Sequence, residues 1–206
     1  MSDLTIFLIS NKQRLIIDQL TTEVIRKSIH MFIALVPLLA SWNYGLTITI
    51  LLMGITVYTY SEFLRQQGYE VAIISKLTSA AARKRDAGKF VLGPITLGFG
   101  ALLALLIFPN NVSMVAIYAL AFGDGLSSLA GRMFGSITLP FTKGKSLEGS
   151  LTCFLAVLTA AYATGYEPVH ALIIAVSATI LEAVPTKDFD NLVIPAGVGI
   201  IALLLH

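Results

Sequence analysis

Seven apolar runs, separated by segments that hold nearly all of the charge, dominate this 206-residue chain and leave it few ways to fold. They cover about 28–40, 46–60, 90–108, 112–131, 147–164, 169–184 and 192–205. A bilayer span takes about 20 residues, so each run is near the length that crosses a membrane as a helix. Composition agrees: 56% of the residues are hydrophobic and 13% are charged, against about 25% charged in an average soluble domain. A disordered chain, a disulfide-stapled module and an ordinary soluble domain are thereby excluded. Cys153 is the single cysteine, so neither an intrachain disulfide nor a cysteine metal cluster can form. The expected class is an all-α, polytopic membrane helix bundle of about seven transmembrane helices, with interfacial helices at the N-terminus and between spans.

The segments between the runs refine this picture. In residues 4–25, Ile16, Leu20, Val24 and Lys27 fall on one helical stripe, with Lys12, Arg14, Asp18 and Glu23 around it. That pattern predicts an interfacial helix over 1–25, followed by one membrane-embedded bundle over 26–206. Asp3 stands where a leader would carry positive charge and no small-residue site follows Ile9, so no cleavable leader is expected. Ser41 to Gly45 reads as a turn with belt aromatics Trp42 and Tyr44. Residues 61–89 are polar and basic, with Ile73, Ile74 and Leu77 on one side of a second surface helix. Gly93-Pro94 is expected to bend the third span.

Charge sets the orientation. All 14 Lys and Arg residues fall in 1–27, 61–89, 132–146 and 185–191, and the turns near 42, 110 and 166 hold none. The positive-inside rule makes the first set, and with it the N-terminus, cytoplasmic.

The ionisable residues gather at that same cytoplasmic end. Arg26, Lys27 and His30 open span one, and Glu62 closes span two. Arg83, Lys84, Arg85 and Lys89 precede span three, and Asp124 lies in the last part of span four. Lys143, Lys145, Ser146 and Glu148 open span five. Glu182 closes span six, with Asp188 and Asp190 beyond it. Cations and carboxylates on one face suit a polyphosphate and its metal ion. A carboxylate inside a span is costly and is a functional candidate by default. Gly123 and Gly125 would let a backbone or a phosphate approach Asp124, which binds magnesium or orients an attacking hydroxyl. Exchange of Asp124 for Asn is expected to leave packing intact, and even to relieve the cost of a buried charge. Gly144-Lys145-Ser146 has the ending of a P-loop but lacks a glycine at 139, where Leu139 stands, so a P-loop NTPase is rejected. Ser146 remains a good N-cap, and a helix N-terminus beside Lys143 and Lys145 favours an anion. His30 serves in proton transfer or is satisfied inside the bundle.

These residues together resemble a known family, the CTP-dependent polyprenol kinases, which include dolichol kinase, phytol kinase and the CTP-using diacylglycerol kinase. The resemblance rests on Arg26-Lys27-Ser28-Ile29-His30 and on a long middle motif. That motif runs from Gly123-Asp124-Gly125 through Gly131-Arg132-Met133-Phe134-Gly135 and Leu139-Pro140 to Lys145-Ser146-Leu147-Glu148-Gly149-Ser150. It rests also on Glu182-Ala183-Val184-Pro185, and on Asp190-Asn191-Leu192 followed by Pro195. The resemblance implies transfer of the terminal phosphate of CTP to a lipid alcohol, with a divalent metal such as Mg2+ and a cytoplasmic nucleotide site. Carried over by residue, Asp124 becomes a catalytic or metal residue and His30 a catalytic one. Arg132, Lys143, Lys145, Ser146 and Glu148 become the nucleotide loop. Arg26, Lys27, Gly123, Gly125, Glu182 and Asn191 become supporting residues, and Asp190 a second metal residue. The partners implied are a nucleotide and a lipid alcohol, a polyprenol, phytol-like alcohol or diacylglycerol, and no nucleic acid.

Three other readings stand beside this one. A phosphatidate cytidylyltransferase would share nucleotide and membrane but release pyrophosphate and leave a CDP-lipid. A small transporter would place its polar residues near the midplane, often in two related halves, and this chain shows neither. A non-catalytic scaffold has no use for Asp124 and Lys145 on the same side.

Overall fold

The computed structural model describes the backbone of all residues except 1, 70, 83–85, 87, 143 and 187–188, and beyond these omits only the side chains of 2–16 and 72. Of the residues assigned to the site or the surface segments, Lys143, Arg83, Lys84, Arg85 and Asp188 lie outside the described set. The chain is helical throughout: α1 (Ser2–Phe32), α2 (Leu35–Trp42), α3 (Tyr44–Gln66), α4 (Ala72–Ala81), α5 (Gly93–Ile107) and α6 (Asn110–Tyr118) come first. A π-helical segment (Ala119–Asp124) leads into α7 (Gly125–Phe134), and α8 (Leu147–Ala163), α9 (Pro168–Ala183) and α10 (Asp190–Leu204) complete the bundle. Among the described residues the only β feature is an isolated bridge between Thr138 and Ser146.

Every apolar run of the sequence is helical. Among the described residues three stretches are long and apolar enough to cross a membrane alone, Ile17–Trp42, Tyr44–Gln66 and Asn110–Phe134. The other four, α5, α8, α9 and α10, have 15 to 17 residues, or roughly 22–26 Å at 1.5 Å per residue. The surface is that of a membrane bundle. Leu38, Met53, Leu106, Leu151, Leu172, Ile180 and Leu204 are exposed, while Glu23, Lys27, His30, Glu62, Asp124, Glu182 and Asn191 are buried. In water so much exposed apolar surface would aggregate; in lipid it is solvated. The core is rich in small residues, with Ala101, Ala116, Ala161, Ala171, Ala175, Ala178 and Ala202 fully buried. Small side chains let helix backbones approach where no hydrophobic drive separates protein from solvent.

Asn43 joins α2 to α3, its side chain accepting from the Leu46 amide at 3.0 Å as a helix N-cap. α6, the π segment and α7 form the central rod, and α8 packs along both α7 and α9. The α7–α8 contact is tight enough that a Cβ on Gly149 would lie 2.8 Å from the Ser127 carbonyl oxygen.

One local expectation changes. The Gly93-Pro94 pair starts α5 instead of bending a span, because proline in the first helical turn gives up no intrahelical donor. α1 runs unbroken through residue 25, and the break comes at residues 33 and 34. On α1 Val24 is exposed, whereas Glu23, Lys27 and His30 are buried and share one face at helical spacing. α4 behaves likewise, with Ser75 and Thr78 inward and Ile73 and Leu77 outward. In both helices the apolar side faces the apolar solvent.

Candidate active site

At the polar end of the bundle, α1, α7, α8 and the starts and ends of α10 and α9 enclose a cleft of about 590 Å³, within the range of small-molecule sites. Among the described residues four cations line it, Arg26, Lys27, Arg132 and Lys145, together with four carboxylates, Glu23, Asp124, Glu182 and Asp190.

The π segment carries Asp124 to its place. A π turn inserts an extra residue into a helix and often marks a functional site. Here it ends on Asp124, flanked by glycines that pack in different directions. A Cβ on Gly123 would meet Val157 at 3.0 Å and Cys153 at 3.3 Å, both on α8, and one on Gly125 would meet Met31 of α1 at 3.2 Å. The glycines therefore seat Asp124 between α1 and α8; what approaches closely is helix, not ligand. The Asp124 carboxylate accepts from Lys27 Nζ at 2.5 Å, and His30 Nε2 lies 3.4 Å from the same oxygen. Lys27 is fully buried. This overturns the expectation for Asp124→Asn, since removing one partner of a buried ion pair leaves the other charge uncompensated.

Lys145 forms an ion pair with Glu182, and the Ser127 hydroxyl donates to the same Glu182 oxygen at 3.0 Å. The loop before α8 folds back on itself: the Leu139 amide donates to the Lys145 carbonyl at 2.8 Å, and the Leu147 amide to that of Ile137 at 2.9 Å. Ser146 caps α8, accepting from the Gly149 amide at 3.1 Å. Two of the first amides of α8 are thus bonded within the protein. The first turn still faces the cleft, through Ser146, Gly149 and Ser150.

The sequence candidates sort by place. Arg26, Lys27, Asp124, Arg132, Lys145, Ser146, Glu182 and Asp190 line the cleft. Glu148 does not: its carboxylate accepts from the Ser136 amide at 2.8 Å and pins the folded loop. His30 of α1 and Asn191 of α10 are bonded to each other at 2.7 Å and line a different cavity. Glu62 sits apart, bonded to Arg65 and to the Val91 amide. Glu23 was missed as a site residue. It is buried, joins Arg26, and lies 3.5 Å from Arg132. Its four-residue spacing from Lys27 was the available signal, obscured by reading 4–25 as a surface helix.

Several cleft-lining side chains have a buried polar atom with no hydrogen-bond partner among the described residues: Arg26 Nε, Ser150 Oγ, Glu182 Oε2 and Thr186 Oγ1. Each such atom costs about 1–3 kcal/mol when left unsatisfied. Their concentration in one cleft suits a polar guest. For a metal ion, no group of three or more His, Cys, Asp or Glu side chains among the described residues is placed to hold one. Magnesium bound together with phosphates needs only one or two protein carboxylates, the rest of its shell being phosphate and water. Asp124 and Asp190 both line the cleft, so two carboxylates are available there.

Curated proteins similar to this chain include a probable chloroplastic phytol kinase of Triticum aestivum, 26% identical over 87% of this chain and 66% of its own length. A probable chloroplastic phytol kinase of Zea mays is 28% identical over 84% of this chain and 57% of its own. The chloroplastic farnesol kinase of Arabidopsis thaliana is 26% identical over 94% and 68%. The chain spans about half to two thirds of the length of the curated relatives it matches. No family model and no solved structure matches it.

Proposed function

We propose that this chain, a relative of the phytol and farnesol kinases of the polyprenol kinase family, is a membrane-embedded kinase that moves the γ-phosphate of CTP to the hydroxyl of a lipid alcohol at the cytoplasmic face. The observation that carries the reading is the cleft, with its unsatisfied polar atoms and matched cations and carboxylates at the membrane-boundary end of an otherwise apolar bundle. A lipid alcohol keeps its tail in the bilayer while its hydroxyl meets a water-soluble nucleotide, so the reaction belongs at that boundary. CTP as donor follows from the motif resemblance.

Phosphoryl transfer asks the protein for position and charge stabilisation rather than covalent chemistry. Lys145, Arg132 and the first turn of α8 hold the phosphates, with Ser150 supplying a hydroxyl. Asp124, fixed by Lys27, faces the transfer point and orients the incoming hydroxyl. Asp190 and Asp124 are the carboxylates that would hold magnesium, which when bound offsets the charge of the phosphates. Glu182, held by Ser127, keeps Lys145 aimed into the cleft.

The direct test incubates the purified protein with γ-labelled CTP or ATP and a panel of phytol, farnesol, a polyprenol and diacylglycerol. Label is expected in the lipid phosphate, from CTP in preference to ATP, with CDP as co-product. Pyrophosphate and a CDP-lipid would instead identify a cytidylyltransferase. The orientation has its own test. A tag at position 110 is expected to react from outside intact cells, and tags at 75 and 138 only after permeabilisation. External labelling at 138 contradicts a cytoplasmic site.

A further inference from the structure

The α1 wall of the cleft has a second side. Behind it lies a mostly apolar cavity of about 60 Å³, bounded by Tyr58 of α3, Ala81 of α4, and Pro94 and Leu97 of α5. His30 and Asn191 supply polar groups to it, and Arg26 lines both this cavity and the cleft.

The hydrogen bonds around Asn191 fix the state of His30. Asn191 Nδ2 donates to the Gly93 carbonyl at 3.1 Å and to the Thr96 hydroxyl at 2.8 Å. A carbonyl oxygen only accepts, so the amide nitrogen of Asn191 faces α5 and its oxygen faces the imidazole. That oxygen, 2.7 Å from Nε2, requires the ring proton on Nε2. Nδ1 is then a bare acceptor. It is buried, has no partner among the described residues, and belongs to a side chain only 3% exposed. His30 lines the hollow, so an unsatisfied acceptor on its ring calls for one donor on an apolar body. Tyr58 does not meet this need, because its hydroxyl donates to the Val91 carbonyl at 3.2 Å.

We propose that this cavity receives the hydroxyl-bearing end of the lipid alcohol, with its O–H donating to His30 Nδ1. The lipid identity rests on the kinase reading, and the location rests on this geometry. Arg26 lines both cavities, so the alcohol is held here beside the cleft before transfer, and Asp124 orients its hydroxyl only once it has moved into the cleft. The apolar outer face of α4, with Ile73 and Leu77 exposed, gives the tail a lipid-like surface on the helix that closes the cavity. His30 acts in this scheme as a binding and positioning residue.

The test uses the full chain in lipid nanodiscs, without nucleotide, and a photoreactive farnesol carrying its diazirine near the hydroxyl. Label is expected within residues 78–81 and 92–97. Farnesol is expected to compete about tenfold better than farnesyl methyl ether, which has no O–H to donate. His30→Gln, which keeps a group for Asn191 but loses the Nδ1 position, is expected to erase that preference, and His30→Asn to retain part of it. Ala81→Phe, on the opposite wall, is expected to block labelling even if the His30 variants fold poorly. Label elsewhere, or equal competition by the ether in the unaltered protein, overturns the proposal. Labelling needs no turnover. A protein that labels here but transfers no phosphate keeps this site and loses the kinase reading; one that phosphorylates farnesol but labels elsewhere does the reverse.

Discussion

Asp124→Asn is expected to lower phosphate transfer by about 100-fold or more, the scale of groups that stabilise charge or orient a proton, and to weaken the fold as well. The second effect comes from Lys27. Its ammonium is buried and lies 2.5 Å from the Asp124 carboxylate. Loss of one partner from such a pair costs about 3–5 kcal/mol, because the remaining charge has neither water nor counter-charge. The single variant therefore mixes two causes, and a second substitution separates them. Asp124→Asn combined with Lys27→Met removes both charges and is expected to recover most of the lost stability, since apolar replacement of a buried pair is often neutral. Activity is expected to stay low, because the carboxylate is still missing. The measurements are thermal unfolding in one detergent and transfer of labelled γ-phosphate by the same preparations. Recovery of turnover in the double variant would reduce Asp124 to a counter-ion for Lys27.

The way that pair escaped the sequence reading shows what was legible and what was not. The apolar runs gave the helices, because the period and the length of a run are local properties. The Ser146 cap, and the grouping of cations and carboxylates at one end, were equally local. The partner of Asp124 was not, since Lys27 is 97 positions away and its charge reads naturally as a topology signal. The buried face of α1 was not legible either, because the partners that bury Glu23, Lys27 and His30 come from later helices. The π turn before Asp124 has no composition signal of its own; it accompanies close packing of Gly123 on α8 and of Gly125 on α1. Glu148 matched the family motif, yet its side chain is taken up by the Ser136 amide, a bond set by how the 132–146 loop folds back.

Lys145→Ala is expected to cut kcat/KM for the nucleotide by about 30- to 1,000-fold while changing KM for the alcohol little. The basis is position. Lys145 stands just before the cap of α8, where the helix N-terminus and the side chain both favour an anion. Removing one such electrostatic contact costs about 2–4 kcal/mol of transition-state stabilisation, which converts to that range at about 1.4 kcal/mol per tenfold. A loss of stability is expected as well. The Lys145 side chain is 29% exposed but that of Glu182 only 2%, so removing the cation leaves a buried carboxylate without its counter-charge. The Ser127 hydroxyl, which Glu182 keeps, offsets part of that cost. Lys145→Arg keeps the charge and is expected to restore most of the nucleotide kinetics, whereas Lys145→Gln, which keeps length without charge, is not. Glu182→Gln supplies the complementary control. It frees Lys145 from its partner without touching the cation, so nucleotide affinity is expected to hold while turnover falls as the ammonium loses its aim. Steady-state kinetics with each substrate varied in turn, alongside a melting curve for every variant, separates these outcomes. Unchanged rates for Lys145→Ala at limiting nucleotide would leave Lys145 as the counter-ion of Glu182 and move phosphate binding to Arg132 and the first turn of α8.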